Sequence, residues 1–289
     1  MGFFGRKRAP SVPHPRKEPR FDGPLTLERL EQIFQDCVDF TKRPVSLGEG
    51  GACTLTLCYL SGMVKMERVS DYVLRPLAQD EALARCGTPR QAMDRMKDGA
   101  LYNLSAEERT RLDAAVFDLV NGCCLLLFPW ESSVLSLNVG TEEKRSISSP
   151  SNETVLKGSR DAFVESLRTN TSIVRRHLKA PELRIREQVV GRQSVTSVDI
   201  LYIEGLTNPH LVEQVAAQLA DIDIDAVLTT GNIEEYIVPA ARTAFPLVQY
   251  TERSDRFCAG LAEGRVGILI DGLPLGYLAP GVLGDFLQA

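Results

Sequence analysis

Residues 119–128 read LVNGCCLLLF and residues 261–270 read LAEGRVGILI, and in both an apolar helical stripe runs into a glycine and then into an unbroken apolar stretch. Glycine is the residue that closes a helix with least strain, and a short continuous apolar run after it reads as a strand buried on both faces. Each run then meets a turn, Pro129-Trp130-Glu131-Ser132-Ser133 in one and Asp271-Gly272 in the other, followed by a second apolar strand near 134–137 and 275–278. The order is helix, glycine, strand, turn, strand, written twice.

Outward from these two anchors the repeat continues. A strand at 53–60 ending at Gly62 is mirrored by one at 195–203 ending at Gly205, and 143 residues separate these glycines where 142 separate Gly122 from Gly264. Behind Gly62, Val69, Val73 and Leu77 are spaced as the buried side of a helix. Behind Gly205, Asn208 is a predicted N-cap, Pro209 suits the first helical position, and Leu211, Val215 and Leu219 face inward. The remaining elements are a helix over 27–40 capped by Thr26, a helix opened by a Ser105/Glu108 capping box with Leu112, Val116 and Leu119 buried, and a pair of strands at 183–190 and 195–203. A further helix is expected from Arg160, with Phe163, Val164, Leu167, Val174 and Leu178 inward and Arg175, Arg176, His177 and Lys179 at its basic end.

The fold class that follows is α/β, in two related lobes, each a small mixed sheet with packed helices. The Asp271-Gly272 turn demands an antiparallel neighbour, whereas crossover helices favour parallel ones. The expected division is a basic tail over 1–20, a first lobe over 21–139, a polar serine-rich linker over 140–159 and a second lobe over 160–289.

Composition narrows the function. The formal charge is −5, with both signs interspersed, so an extended nucleic-acid surface has no electrostatic basis. The tail is the exception: Arg6, Lys7, Arg8, Arg16, Lys17 and Arg20 oppose Glu18 alone, which reads either as a flexible segment or, with Phe3 and Phe4, as a contact for an anionic membrane. The longest apolar run, 123–128, is far short of the ~20 residues a spanning helix requires. Seven unevenly placed cysteines in apolar segments suit a reduced, cytoplasmic setting.

Catalytic patterns are missing from the sequence, and no cofactor is implied. Of the three histidines, His14 lies in the tail, His177 at a basic helix end and His210 in a first helical turn, none beside a nucleophile in sequence. Cys123-Cys124 forms no C-x-x-C pair. Asp221, Asp223 and Asp225 alternate as strand residues do, while Ala226 and Asn232 stand where a calcium loop needs Gly and Glu. Gly48-Glu49-Gly50-Gly51 precedes a strand instead of following one, so it is a turn and no phosphate cradle. The reading is not an enzyme. One local signal stands out at 245–256, FPLVQYTERSDR: Gln249 and Tyr250 end a strand, Thr251 can cap the next helix, and Arg253, Asp255 and Arg256 follow. This is either a working edge of an α/β sheet or a capped joint with surface ion pairs.

The stretches KGSRDAFVESLRTNTSIVRRHLKAPELRIREQVVGRQSVTSVDILYIEGLTNPHLVEQV at 157–215, LADIDIDAVLTTGNIEEYI at 219–237, FPLVQYTERSDR at 245–256 and LAEGRVGILIDGLP at 261–274 resemble the N-terminal soluble domain of the A subunit of bacterial spore germinant receptors. Over 21–138 the likeness is chiefly one of organisation. The resemblance implies a domain that precedes a transmembrane bundle, partnered by B and C subunits in the spore inner membrane, with this chain a soluble piece attached to the membrane through a following region. It implies assembly and signal transmission, with nutrient binding by this domain as the alternative. Arg160, Phe163, Glu165, Asn170 and Arg175 match the family's helix pattern, and Gln249, Arg253, Asp255 and Arg256 its strand-to-helix pattern, with Ser254 where proline is frequent. Arg160, Glu165, Asn170 and Arg175 are therefore expected as an exposed polar surface for bonds across the lobe boundary or to another subunit, and Gln249, Tyr250, Arg253 and Arg256 as a ligand or domain-edge site. The isolated chain, lacking a long heptad stripe, is expected to be monomeric or weakly associated.

Overall fold

The computed structural model describes residues 20–47, 53–101, 106–129, 131–140, 161–225 and 248–281. In the first lobe, α1 (Leu27–Ile33) leads into β1 (Phe40–Ser46) and β2 (Thr54–Leu60). Short helices α2 (Met66–Val69), α3 (Arg75–Gln79), α4 (Glu81–Ala84) and α5 (Pro89–Arg95), with π-wound turns at Ser70–Leu74 and Met96–Ala100, then carry the chain over the sheet to β3 (Ala106–Arg109). From there α6 (Leu112–Val120) returns it to β4 (Cys123–Leu127) and β5 (Val134–Asn138). The second lobe repeats the path with α7 (Leu167–His177), β6 (Leu183–Val190), β7 (Thr196–Ile203), α8 (Pro209–Ala220), β8 (Gln249–Thr251), α9 (Ser254–Ala262), β9 (Val266–Ile270) and β10 (Gly276–Ala279).

The sheet orders are β1-β2-β4-β5-β3 and β6-β7-β9-β10-β8, the same topology twice. The two lobes are thus related α/β units. The expectation of mixed sheets is corrected, because every strand ladder among the described residues is antiparallel. The crossover segments do not join neighbours. They take the chain from β2 to β3 and from β7 to β8, which are separated by two intervening strands, and three antiparallel steps leave those ends antiparallel too.

Each sheet buries both faces, as the apolar runs required. Leu57, Leu126, Leu135 and Leu137 pack beneath α2–α5 with Val69, Val73, Leu77 and Met93, while Leu60, Leu125 and Val134 meet Leu30 of α1 and Val116 and Leu119 of α6. In the second lobe Val198, Ile200 and Ile268 meet Val212, Val215 and Leu219 of α8, while Leu183, Ile185, Leu201 and Leu269 meet Val174 of α7 and Phe257 and Leu261 of α9. At ~25 cal/mol per Å² of apolar surface removed from water, these two-sided cores dominate the stability of each lobe.

The equivalent glycines have equivalent reasons. Gly122 and Gly264 each close a helix at φ +88, and a Cβ on Gly122 would lie 2.7 Å from the Met63 carbonyl oxygen, one on Gly264 3.2 Å from that of Leu206. Met63 follows Gly62 and Leu206 follows Gly205, so the repeat preserves even this close backbone approach.

Three boundaries differ from the sequence expectation. The first helix, capped by the Thr26 hydroxyl, stops at Ile33, not near residue 40, and Asp36 adopts φ 56 as the chain turns away. Of the expected Ser105/Glu108 capping box, Ser105 lies outside the described residues and Glu108 caps no helix. Glu108 lies in β3, paired with β5, where its carboxylate meets Arg90 at 2.5 Å and Lys97 at 2.7 Å, and the helix starts after Arg111. The helix expected from Arg160 begins at Leu167, where the Ser166 hydroxyl accepts from the Thr169 N–H. Arg160, the tail over 1–19 and the linker over 141–159 lie outside the described residues.

Candidate functional site

α7 belongs to the second lobe through its apolar side, Leu167, Val174 and, at its end, Leu178. Its polar residues Arg168, Ser172 and Arg175 recur at spacings of four and three, which lines them up on one face, and Lys179 follows just past the helix end at His177. Three of them cross to the first lobe. The Ser172 hydroxyl donates to the Gly62 carbonyl at 2.6 Å, Arg175 meets Asp39, and Lys179 donates to the Asn121 side chain at 2.9 Å.

The central pair is closed to solvent. Arg175 Nε donates to one carboxylate oxygen of Asp39 at 2.8 Å and Nη2 to the other at 2.9 Å, a bidentate fork, while Nη2 also reaches Cys37 Sγ at 3.4 Å and Nη1 the Ala180 carbonyl at 3.5 Å. Arg175 is 1% exposed and Asp39 4%. An ion pair this deep carries a large desolvation cost, which the fork and the added acceptors offset, and it fixes one geometry more than it adds stability. The neutral frame around it is equally specific. Val38 N–H donates to the Ile185 carbonyl at 2.9 Å and Ile185 N–H to the Asp36 carbonyl at 3.1 Å, so residues 36–38 lie alongside β6 in a parallel bridge. Arg184 of β6 reaches back to the Ile33 carbonyl and also bonds Glu204. The lobes meet in a hydrogen-bonded seam.

The expected site residues divide around it. Arg175 spans the seam, but from a buried position and not from an exposed surface. Asn170 is also buried, at 0% exposure, and serves its own lobe: its side chain accepts from Val164 N–H at 2.8 Å and donates to the Val164 carbonyl at 2.6 Å. The Glu165 side chain is exposed and its carbonyl accepts from Gly272 N–H at 2.8 Å. Gln249 and Tyr250 sit on the short edge strand β8, where Gln249 accepts from Arg265 at 3.1 Å and Tyr250 is 61% exposed. Arg253 pairs with Asp255 at 2.8 Å, and Asp255 accepts the Arg256 N–H at 2.9 Å; the hydrogen bonds from Arg253 lead the causes that hold the Asp255 carboxyl below its ordinary value. Thr251 does not cap the helix end itself. Its hydroxyl accepts from Arg253 N–H at 3.1 Å within the joint. Sequence reasoning missed Asp39, Arg168, Ser172 and Lys179. The 4-3 polar spacing of Arg168, Ser172 and Arg175 on α7 is readable, whereas Asp39 carries no local signal.

Ser254, His177 and Asp161 cluster in the fold, yet they are no hydrolytic triad. The Ser254 hydroxyl donates to the Asp161 carbonyl at 2.7 Å, is fully buried, and shares the same ring nitrogen of His177, at 3.3 Å, with the Asp161 carboxylate at 3.6 Å. A relay needs the two ring nitrogens to serve different partners. Burial pushes the thiols of Cys58 and Cys258 up to about 12, which makes them poor nucleophiles. Among the described residues no group of three or more His, Cys, Asp or Glu side chains could hold a metal ion. No helix among them is long and apolar enough to cross a membrane.

Against known proteins, the family model for the Bacillus/Clostridium GerA spore germination protein matches residues 28–289. The membrane protein YfkQ of Bacillus subtilis is 32% identical over 263 residues, 91% of this chain and 50% of that protein. Spore germination protein KA of Bacillus subtilis is 32% identical over 251 residues, 87% of this chain and 45% of its own length. The chain thus spans about half the length of these relatives. The crystal structure of the N-terminal domain of the A subunit of the Bacillus megaterium spore germinant receptor GerK3 superimposes with a TM-score of 0.71 at 26% identity, covering 91% of this chain and 99% of that one.

Proposed function

Because the chain belongs to the Bacillus/Clostridium GerA spore germination protein family, we propose that it is the regulatory N-terminal domain of a germinant receptor A subunit and that it transmits a conformational signal through the seam between its lobes. The observation that carries this reading is the buried Arg175–Asp39 fork, with Ser172–Gly62 beside it on the same helix face and Lys179–Asn121 just past the helix end. A rigid helix fixed to one lobe and bonded to the other converts a movement of either into a movement of both. In this reading B and C subunits are its partners at the spore inner membrane, the division of the chain is tail, lobe, linker and lobe, and Glu165 and the β8–α9 joint with Gln249, Tyr250, Arg253 and Arg256 are the surfaces for subunit contact, with Arg160, outside the described residues, kept as a candidate beside them. No chemistry is assigned to it.

The test is made in spores carrying the full-length protein. Ser172→Ala and Lys179→Ala remove seam bonds at partly exposed positions, where stability changes by less than about 0.5 kcal/mol. Normal abundance with slowed nutrient-triggered germination is the expected result; unchanged germination in the double variant would refute transmission through the seam. A second reading, capture of a small molecule, draws on an open cleft of about 410 Å³ lined by Leu25, Leu27, Glu28, Thr56, Glu131 and Val134. Calorimetric titration with amino acids, sugars and nucleosides decides it, and saturable micromolar binding abolished by Glu28→Gln and Glu131→Gln would favour it.

A further inference from the structure

In the second sheet, Asp199 of β7 and Glu187 of β6 stand directly opposite each other in the antiparallel register. Like charges so placed repel. One guanidinium serves both: Arg168, in the first turn of α7, donates to Glu187 at 2.6 Å and to Asp199 at 3.2 Å. The two carboxyls differ sharply in their surroundings. Glu187 is half-buried, and although burial works against it, hydrogen bonds from Ser197 and Arg168 leave it below its ordinary value. Asp199 is 0% exposed, and its second oxygen, Oδ1, has no hydrogen-bond partner among the described residues.

An ionised carboxylate with an unsatisfied buried oxygen is the costly form, and the neutral acid the favoured one. The charged groups facing Asp199 are Arg168 from α7, Glu187 from β6, Asp271 just beyond β9 and Asp39 from the first lobe, while Leu269, its neighbour on β9, offers nothing polar. Asp39 is itself held by Arg175. Burial is the chief cause that pushes Asp199 up to about 7; Arg168 opposes it, and Glu187, Asp39 and Asp271 add to it.

We propose that Asp199 is a proton-binding switch, in which gain or loss of one proton at its carboxyl resets Arg168 and, through α7, the seam between the lobes. This deepens the transmission reading by naming the proton as a ligand to which the seam responds. With Asp199 neutral, Arg168 satisfies Glu187. With Asp199 ionised, Oδ1 requires a donor, and Arg168, which already bonds Oδ2 and whose side chain is half-exposed, is placed to supply one. The first turn of α7 is drawn toward Asp199 while Ser172 and Arg175, with Lys179 just past the helix end, hold the rest of it to the first lobe. The proton exchanges with solvent on the open side of Arg168.

The experiment is an NMR titration of the 289-residue chain from about pH 5 to about pH 9, the window in which such a group changes charge. It follows the Asp199 side-chain carbon and the seam amides of Val38 and Ile185. The expected result is an Asp199 midpoint near 7 that both amides share, no such transition at the amides in Asp199→Asn, and a midpoint raised by about one pH unit or more in Arg168→Gln, which removes the compensating cation. An Asp199 midpoint below about 5, or seam amides that ignore its titration, overturns the switch. Should Asp199→Asn fail to fold, the wild-type titration and the Arg168→Gln midpoint still decide. Unchanged germination of the Ser172→Ala/Lys179→Ala double variant would sink transmission while leaving the titration intact, so the two ideas fall separately.

Discussion

Arg175 and Asp39 lie 136 residues apart in the chain and form a single buried fork, one on each side of the lobe seam. Loss of either partner alone strands a charge away from water. Arg175→Ala or Asp39→Ala is expected to destabilise the chain by about 3–5 kcal/mol, whereas Arg175→Met combined with Asp39→Leu removes both charges and restores most of that loss. Urea unfolding of the two single variants and the double variant reads the coupling directly. Additive losses would mean the pair does not act as a unit.

The paired glycines predict a graded effect. Alanine at either position meets the left-handed backbone cost of about 1–2 kcal/mol, and Gly122→Ala adds a Cβ at 2.7 Å from a carbonyl oxygen where Gly264→Ala adds one at 3.2 Å. Thermal melting should therefore rank Gly122→Ala below Gly264→Ala, and both below the wild type. Equal melting of all three would show that the backbone shifts freely there.

Asn170→Ala is expected to cost about 1–3 kcal/mol, because it leaves both the N–H and the carbonyl of Val164 without the side chain that serves them. Hydrogen exchange at Val164 should rise locally before global stability falls. Protection unchanged at Val164 would assign the amide another partner.

Two acids give opposite pH dependences. Hydrogen bonds from Arg90, Lys97 and Ser133 hold Glu108 at about 2, so its contribution is fully present above the ordinary Glu range and is lost as pH falls toward that value. Asp199, raised to about 7 chiefly by burial, works the other way: the folded chain holds a proton that the unfolded chain has released, so stability declines as pH climbs from the ordinary Asp range, about 4, through 7. Melting curves against pH should flatten on the acid side in Glu108→Gln and on the neutral side in Asp199→Asn. A parallel displacement of either curve, with its slope kept, would contradict the assignment.

What the sequence disclosed and what it withheld follow from range. Gly62, Gly122, Gly205 and Gly264, the two-sided apolar runs and the Asn208-Pro209 helix start are local signals, and the lobes could be read from them. The antiparallel course of the sheets could not, since it depends on β2 and β7 skipping two positions before the chain reaches β3 and β8. Glu108, expected to complete a local helix cap, is drawn instead into the pairing of β3 with β5. At the candidate site, Arg175 was noticed as one member of a pattern, but its burial arises from Asp39 in the other lobe, and no local spacing connects residues 136 positions apart.

The parallel bridge between Cys37 and Ile185 also bears on solubility. β6 is the border strand of its sheet, and a bare border with free N–H and carbonyl groups is a template on which another molecule can polymerise. Residues 36–38 occupy part of that border, so the first lobe shields a stretch of the second lobe's edge from such pairing. A second lobe expressed alone would therefore precipitate or assemble into fibrils far sooner than the intact chain.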